Sequence, residues 1–172
     1  MTNIQIKTPG LSLRQMEISD LDDLLKIFGD SKVMASFDTA PFHYEQMEQW
    51  IQRNLTHQDH YGYGLFSVIL KSTGVLIGDC GLEHMEVDGE LKTELGYDFR
   101  SDYWNKGFAT EAALAVRDYA FNTLEIPSLI SLIRVGNEAS RRVSEKIGMR
   151  LTDEIIKNEI LYWVFAMDRV LD

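Results

Sequence analysis

Trp104-Asn105-Lys106-Gly107-Phe108-Ala109-Thr110-Glu111 is the stretch on which the fold turns. It follows an extended segment, Leu91 to Phe99, and runs directly into an alanine-rich helix. Strand, tight loop and helix N-terminus in that order make an anion site. The first-turn N–H groups have no acceptor inside the helix, and the helix dipole favours negative charge beside them. Gly107 lets the backbone approach a phosphate with no Cβ between them, and Lys106 supplies a counter-charge. The side chains of Trp104 and Phe108 read as packing around the helix start. A ligand carrying phosphates is expected here.

The helix from Gly107 to Leu124 carries Ala109, Ala112, Ala113, Val116 and Ala120 on one face, small enough to press closely on a sheet. Upstream, three strands are expected over Tyr63–Leu70, Val75–His84 and Leu91–Phe99. Their turns fall at Ser72-Thr73-Gly74 and Val87-Asp88-Gly89-Glu90. Further back, Leu11 and Leu13 alternate with Ser12 and Arg14, as in a half-buried strand reaching Glu17. Ser19-Asp20 then caps a helix with Leu21, Leu24, Leu25 and Phe28 on one face and Gly29 as its stop. A second helix covers Tyr44–Thr56, while Asp30 to His43 lacks periodicity.

Downstream of the loop helix, Leu129–Val135 is almost wholly apolar, as a strand covered on both faces would be. Asn137 caps a short helix to Ile147, and Gly148 ends it. Arg150–Lys157 and Leu161–Asp168 close the chain as strands joined near Asn158. The expected fold is one α+β or α/β domain with a largely antiparallel sheet. No repeat, linker or low-complexity segment divides it.

At 172 residues, 45% hydrophobic and 26% charged, the chain is long enough to bury its own core. No stretch is apolar enough to span a membrane, and the first residues lack a secretory pattern, so a cytoplasmic location is expected. Cys80 is the only cysteine, which rules out an internal disulfide and a cysteine-based zinc site. Its neighbours read as a strand, and a buried inert thiol is expected. A net charge of −10 argues against nucleic acid and anionic membranes as partners and favours cationic ones, unless it serves solubility alone. Neither G-x-x-x-x-G-K-[ST] nor a strand-linked G-x-G-x-x-G occurs, which removes the common nucleotide-binding motifs. His57 and His60 share a helix face without an acidic or cysteine companion, so no metal site is expected and both read as solvated surface.

With these elements in place, the chain resembles the GNAT superfamily of acetyl-CoA-dependent N-acetyltransferases. It is most similar to the branch of ribosomal-protein N-terminal acetyltransferases. Three separated pieces carry the resemblance. They are Glu94-Leu95-Gly96-Tyr97 with Trp104 to Ala112; Asn137-Glu138-Ala139-Ser140-Arg141-Arg142-Val143, continuing to Glu145-Lys146-Ile147-Gly148-Met149; and Phe37, Pro41 and Glu45 to Ile51. The resemblance implies the GNAT fold, a mixed and mostly antiparallel sheet of about seven strands with helices on both faces. It implies acetyl-CoA as co-substrate, its pyrophosphate held by main-chain N–H groups of Asn105, Lys106, Gly107, Phe108, Ala109 and Thr110, with the Thr110 hydroxyl as a further donor. Tyr97 to Arg100 matches the strand that bonds the pantetheine arm, with Phe99 the best single position within it. Asn137 would bond that arm while also capping its helix. Arg141, Arg142 and Lys146 would either face the phosphates or solvate the helix surface, with Arg142 the first to test. Trp104 departs from the Arg or Gln that heads the loop in many members.

Acetyl transfer to an amine needs the reactants held together, a neutral amine, a donor for the oxyanion and a proton for the departing thiolate. Glu94 and Glu83 are the candidate bases, with Glu94 preferred by resemblance. Strand alternation places Glu94 on the face opposite Thr93, Leu95 and Tyr97 unless a bulge intervenes. Glu83, with His84, would lie at the end of its strand near a turn. Many superfamily members carry a Tyr as acid where this chain has Ser144. The resembled branch has a Ser one turn into the helix, matched by Ser140, whose hydroxyl either serves the coenzyme sulfur or bonds its own backbone.

The acceptor implied is a primary amine: a protein N-terminus first, then a polyamine or aminoglycoside-like small molecule. Its pocket would be built from Asp30 to His43 and the region of Tyr162. A non-catalytic acyl-CoA-binding domain of the same fold is the competing reading. A homodimer is compatible with the sequence but not read from it.

Overall fold

The computed structural model describes residues 3–171; residues 1, 2 and 172, at the ends of the single domain expected over 1–172, lie outside them. The strands are β1 (Gln5–Lys7), β2 (Leu11–Gln15), β3 (Leu65–Leu70), β4 (Val75–Val87), β5 (Glu90–Phe99), β6 (Ser128–Arg134), β7 (Arg150–Lys157) and β8 (Ile160–Asp168). They form one sheet in the order β1-β2-β3-β4-β5-β6-β8-β7. All neighbours run antiparallel except β5 and β6. The helices are α1 (Leu21–Phe28), α2 (Ser31–Met34), α3 (Tyr44–Tyr61), α4 (Phe108–Asn122) and α5 (Glu138–Lys146).

Two apolar layers cover the sheet. On one face Ala112, Ala113, Val116 and Ala120 of α4 are fully buried against Phe66, Val68, Leu82 and Leu95. Small side chains let the helix axis approach the strands, as the alanine pattern predicts. On the other face Leu24, Ile27 and Phe28 of α1 pack with Met47 and Ile51 of α3 over Leu65 and Leu76. Helices therefore lie on both faces.

The sheet has eight strands where about seven were expected. The extra one, β1, is three residues long with no fully buried position, so it leaves no alternation to read. The second helix runs five residues past Thr56, because its stop is Gly62 in the left-handed region at φ +79°. Within the aperiodic stretch, Asp30 caps the single turn of α2 by accepting from Lys32 N at 2.9 Å. Asp20 stands at the N-cap position of α1 as expected, but its side chain makes no cap bond to that helix. Its carboxylate turns inward, accepting from Arg14 Nη2 at 2.6 Å and from the buried Ser67 hydroxyl at 2.7 Å.

Two local devices set which face each side chain of β4 and β5 occupies. Val68 pairs with Gly78 but Ile69 pairs with Leu76, so Ile77 is an extra residue in β4. This bulge turns Asp79 to the α1–α3 face, although Leu76 already lies there. The β4–β5 hairpin closes on Asp88 and Gly89, both left-handed at φ 51° and 79°. That two-residue turn lets the ladder run through to Val87 opposite Glu90. Glu83 consequently lies well inside the strand and not beside a turn.

Candidate active site

The parallel pair β5–β6 holds register at one position, Glu94 opposite Ile130. Beyond it the strands part. Side chains take up the main-chain groups that the split would leave bare. The Ser131 hydroxyl donates to Leu95 O at 2.7 Å, and Leu132 N donates to Glu94 Oε2 at 2.9 Å. Ser131 was not singled out from the sequence; a serine inside the apolar run of β6 was the available signal.

A cavity of about 680 Å³ opens on the α4–α5 side of the split. Of the residues expected to hold a coenzyme, Tyr97, Phe99, Asn105, Gly107, Phe108, Ala109, Thr110, Asn137, Ser140 and Arg142 all line it. Lys106 does not: its side chain is exposed, with the ammonium over the Tyr103 ring, 5.3 Å from the centroid. The loop is shaped by Asn105 and Gly107, left-handed at φ 59° and 84°. Its base is tied to β5 by the Trp104 indole N–H, which donates to Phe99 O at 2.9 Å. Gly107 caps α4 without a side-chain bond, and the first helical bond is Glu111 N to Gly107 O at 3.1 Å. The first-turn N–H groups are thus left for a ligand. Glu111 anchors this end by accepting from Gly10 N at 2.7 Å. Lys32, Arg134, Arg142 and Lys146 bring positive charge to the same cavity.

At the start of α5, the Asn137 side chain accepts from Ser140 N at 3.2 Å, the cap that was expected. The Tyr97 hydroxyl donates to Ser140 O at 2.9 Å and joins β5 to the helix. Burial raises the Tyr97 hydroxyl far above its ordinary value, so it stays a donor. Among the described residues the Ser140 hydroxyl makes no hydrogen bond to its own backbone. Ser144, at the position where the resemblance anticipates a Tyr, is fully buried, and its hydroxyl meets no hydrogen-bond partner among the described residues. Arg141 pairs with Glu145 at 3.0 Å and lies over the Trp163 ring.

On the opposite face of β5 lies a second cavity of about 210 Å³, lined by Phe28, Phe37, Trp50, Tyr162 and four carboxylates. The two cavities share Ser36, Tyr97, Asp98, Arg134, Asn137 and Ser140 as lining, so they meet at the split. The carboxylates come in cross-strand pairs, Asp79 opposite Asp98 and Glu83 opposite Glu94, with Gly81 opposite Gly96 between them. Burial, with the Leu132 N–H pulling the other way and the nearby Glu83 adding to the rise, pushes Glu94 up to about 7. Burial and then Glu83 push Asp98 up to about 7 as well. Asp79 is raised well above the carboxylate range by burial and by the charges of Asp98 and Glu83. Glu83 is raised by burial, with Arg53 opposing.

Alternation therefore puts Glu94 opposite Leu95, Tyr97 and Phe99, as expected, and that opposite face proves to be a carboxylate-lined cavity. Asp79 and Asp98 were missed. Their signal is a spacing of four, Asp79 to Glu83 and Glu94 to Asp98, which puts each pair on one face of its strand.

His57 is not solvated surface. With α3 extended, its Nδ1 lies 2.9 Å from Tyr63 O and its Nε2 accepts from His84 N at 3.0 Å. Burial lowers its pKa below the ordinary histidine value. His60 is exposed, and no group of three metal-ligating side chains occurs among the described residues. Cys80 is fully buried, and burial raises its thiol well above the ordinary range, as an inert core cysteine requires.

A mixed sheet whose central parallel pair parts beside a helix N-terminus, with a cavity on each side of the parting, defines an acyltransferase domain. The chain belongs to the acetyltransferase (GNAT) domain family, whose model matches residues 11–150. It is 34% identical over 154 residues to the uncharacterized protein YkkB of Bacillus subtilis, covering 89% of both chains. Other curated Bacillus relatives bear the name N-acetyltransferase, and this chain is an N-acetyltransferase of that family. Among solved structures, a GNAT-family acetyltransferase from Bacillus anthracis superposes with TM-score 0.81 at 28% identity, covering 96% of this chain and 99% of the other. RimL, a ribosomal L7/L12 alpha-N-protein acetyltransferase in complex with coenzyme A, superposes with TM-score 0.80 at 16% identity, covering 96% and 98%. That second likeness is one of fold.

Proposed function

We propose that the protein transfers an acetyl group from acetyl-CoA directly to a primary amine, with no covalent enzyme intermediate. The observation that carries this reading is the place of Glu94, a largely buried carboxyl held by Leu132 N at the split between β5 and β6, lining the carboxylate cavity that adjoins the cation-lined one. The cation-lined cavity, with the free N–H groups of the α4 start, suits the coenzyme's phosphates. Asn137 and the unpaired edge of β5 suit its pantetheine arm, and Arg142 and Lys146 face the same space. Bound there, acetyl-CoA supplies the activated acyl group.

The chain's own residues then act in a fixed order. The acidic cavity draws in the protonated amine. Glu94, raised to about 7, takes one ammonium proton near neutral pH, a match between base and working pH that favours proton transfer. The C–N bond forms as the thioester C–S bond breaks. The Ser140 hydroxyl donates a hydrogen bond to the leaving sulfur, and the proton that Glu94 took passes by way of solvent to the departing thiolate, which leaves as the thiol and restores the Glu94 carboxylate. The amine loses its remaining extra proton to solvent, so atoms and charge balance.

The acceptor classes that fit are a protein N-terminus and a small cationic amine, in the cytoplasm; no helix is long and apolar enough to cross a membrane among the described residues. Thiol release from acetyl-CoA across a panel of amines tests the reading. Release that depends on both amine and enzyme is expected. Tight acetyl-CoA binding with no release across peptides, polyamines and aminoglycosides would overturn it in favour of a binding domain.

A further inference from the structure

Asp79 has no exposed surface, and neither of its carboxylate oxygens meets a hydrogen-bond partner among the described residues. A buried polar group left bare costs about 1–3 kcal/mol, and a charged one more, so such a group needs a reason. Candidate donors on the neighbouring strands are committed elsewhere, and Arg134, which lines the same cavity, pairs with Asp38. Ser67, directly opposite on β3, donates to Asp20, and Arg14 also pairs with Asp20. None of Asp79, Glu83, Glu94 and Asp98 joins an ion pair among the described residues. Asp79 nevertheless lines the same cavity as Glu94, and only the bulge at Ile77 turns it there.

Resting on the acetyl-transfer reading, we propose that Asp79 and Asp98 form a second cation subsite, so that the acceptor is a linear di- or polyamine with one nitrogen at Glu94 and another at the aspartate pair. The two carboxylate pairs stand four residues apart along both strands, roughly 13 Å at ~3.3 Å per residue. Between them on β5 the floor is Gly96, where a Cβ would meet nothing within 4 Å; Gly81, opposite it on β4, is covered by the backbone of Gly64 and Leu65. Trp50 and Phe28 give the cavity apolar walls. Charged ends, an uncharged floor and apolar walls match two ammonium groups joined by methylenes. An acceptor with a single cation would leave Asp79 bare.

The test is kcat/KM, by thiol release, for α,ω-diamines of increasing length and spermidine, each beside the monoamine of equal chain length. Wild-type protein is expected to prefer the cognate diamine over its monoamine by about 10- to 100-fold, the range of one hydrogen bond to a charged group. Asp79→Asn keeps the shape and removes the charge; its diamine-to-monoamine ratio is expected to fall towards one, mostly through KM. Asp98→Asn should act in the same direction and guards against a fold defect peculiar to position 79. A wild-type ratio near one, or a ratio unchanged in both variants, overturns the subsite while leaving acetyl transfer standing. Should no amine release thiol, the transfer reading itself fails. Calorimetric titration of wild-type protein with spermidine then decides the subsite: binding lost in Asp79→Asn supports it, and no binding overturns it.

Discussion

Replacing Glu94 by Gln is expected to make the protein more stable and far less active above neutral pH, two effects that a purely structural glutamate would not combine. The stability part follows from linkage. Glu94 is raised from its ordinary value of 4.5 to about 7 in the folded chain. Between those values the folded state holds a proton that the unfolded state has lost, so stability falls as pH climbs from 4.5 to about 7 and levels off above it. The full penalty is about 3 kcal/mol, at ~1.4 kcal/mol per pKa unit. Glutamine does not ionise, and its amide oxygen can still accept from Leu132 N, so the split between β5 and β6 keeps its bond. Removing the charge also ends the repulsion from Glu83 and Asp98 that contributes to the rise of Glu94. Thermal unfolding at pH 8.5 should therefore shift upward by roughly 6–12 °C, at 2–4 °C per kcal/mol for a chain of this size, and by little at pH 4.5. Turnover should fall by about 10²–10⁴, the usual contribution of a general base. The wild-type kcat/KM should rise through an apparent pKa near 7, and that limb should vanish in the variant. Activity within a few-fold of wild type would remove Glu94 as the base. A variant less stable at pH 8.5 would refute its placement as a buried, proton-holding carboxyl.

Three further substitutions probe the other side of the split. Gly107→Val forces a branched side chain into the left-handed region at φ 84°, at a cost of about 1–2 kcal/mol, yet a Cβ there meets no protein atom within 4 Å. The fold should survive while acetyl-CoA affinity drops roughly tenfold or more, equivalent to ~1.4 kcal/mol; unchanged affinity by calorimetry would sink the phosphate-loop assignment. Ser140→Ala should lower kcat more than coenzyme affinity, and wild-type turnover would take Ser140 out of the mechanism. Ser131→Ala deletes the buried bond to Leu95 O at 2.7 Å and should cost about 1–3 kcal/mol in urea unfolding; an unaltered midpoint would show that another group takes up that carbonyl.

What the sequence made legible was whatever local chemistry decides. The left-handed turn at Asp88-Gly89, the alanine face of α4, the Asn137 cap and the Gly107 loop are each fixed within a few residues, and each stands where its pattern put it. What stayed hidden depends on partners far along the chain. Asp20 looked like a cap because Ser-Asp before an apolar run usually is one, but Arg14 and Ser67 hold it more strongly from two strands. His57 looked solvated until α3 was carried to Gly62 and laid it against Tyr63 and His84. The bulge at Ile77 arises from pairing with β3, which no reading of β4 alone reveals.

That bulge and the Asp88-Gly89 turn together decide more than two strand paths. Strand β5 runs between a cation-lined cavity and a carboxylate-lined one, and successive side chains serve opposite faces: Leu95, Tyr97 and Phe99 join the core under α4, while Glu94 and Asp98 line the carboxylate cavity. A slip of one residue would carry all of these to the wrong face at once. Carboxylates would then lie under α4 among alanines, where an unpaired charge costs far more than any strand pairing returns. The two-residue turn pins the register from one end of β4–β5. The burial of Leu95 and Phe99 pins it along its length. Within that register the like-charged pairs Asp79–Asp98 and Glu83–Glu94 are unfavourable neighbours in the free protein. The apolar contacts on the other face of the same strands offset that strain and hold the carboxylates poised for a cation.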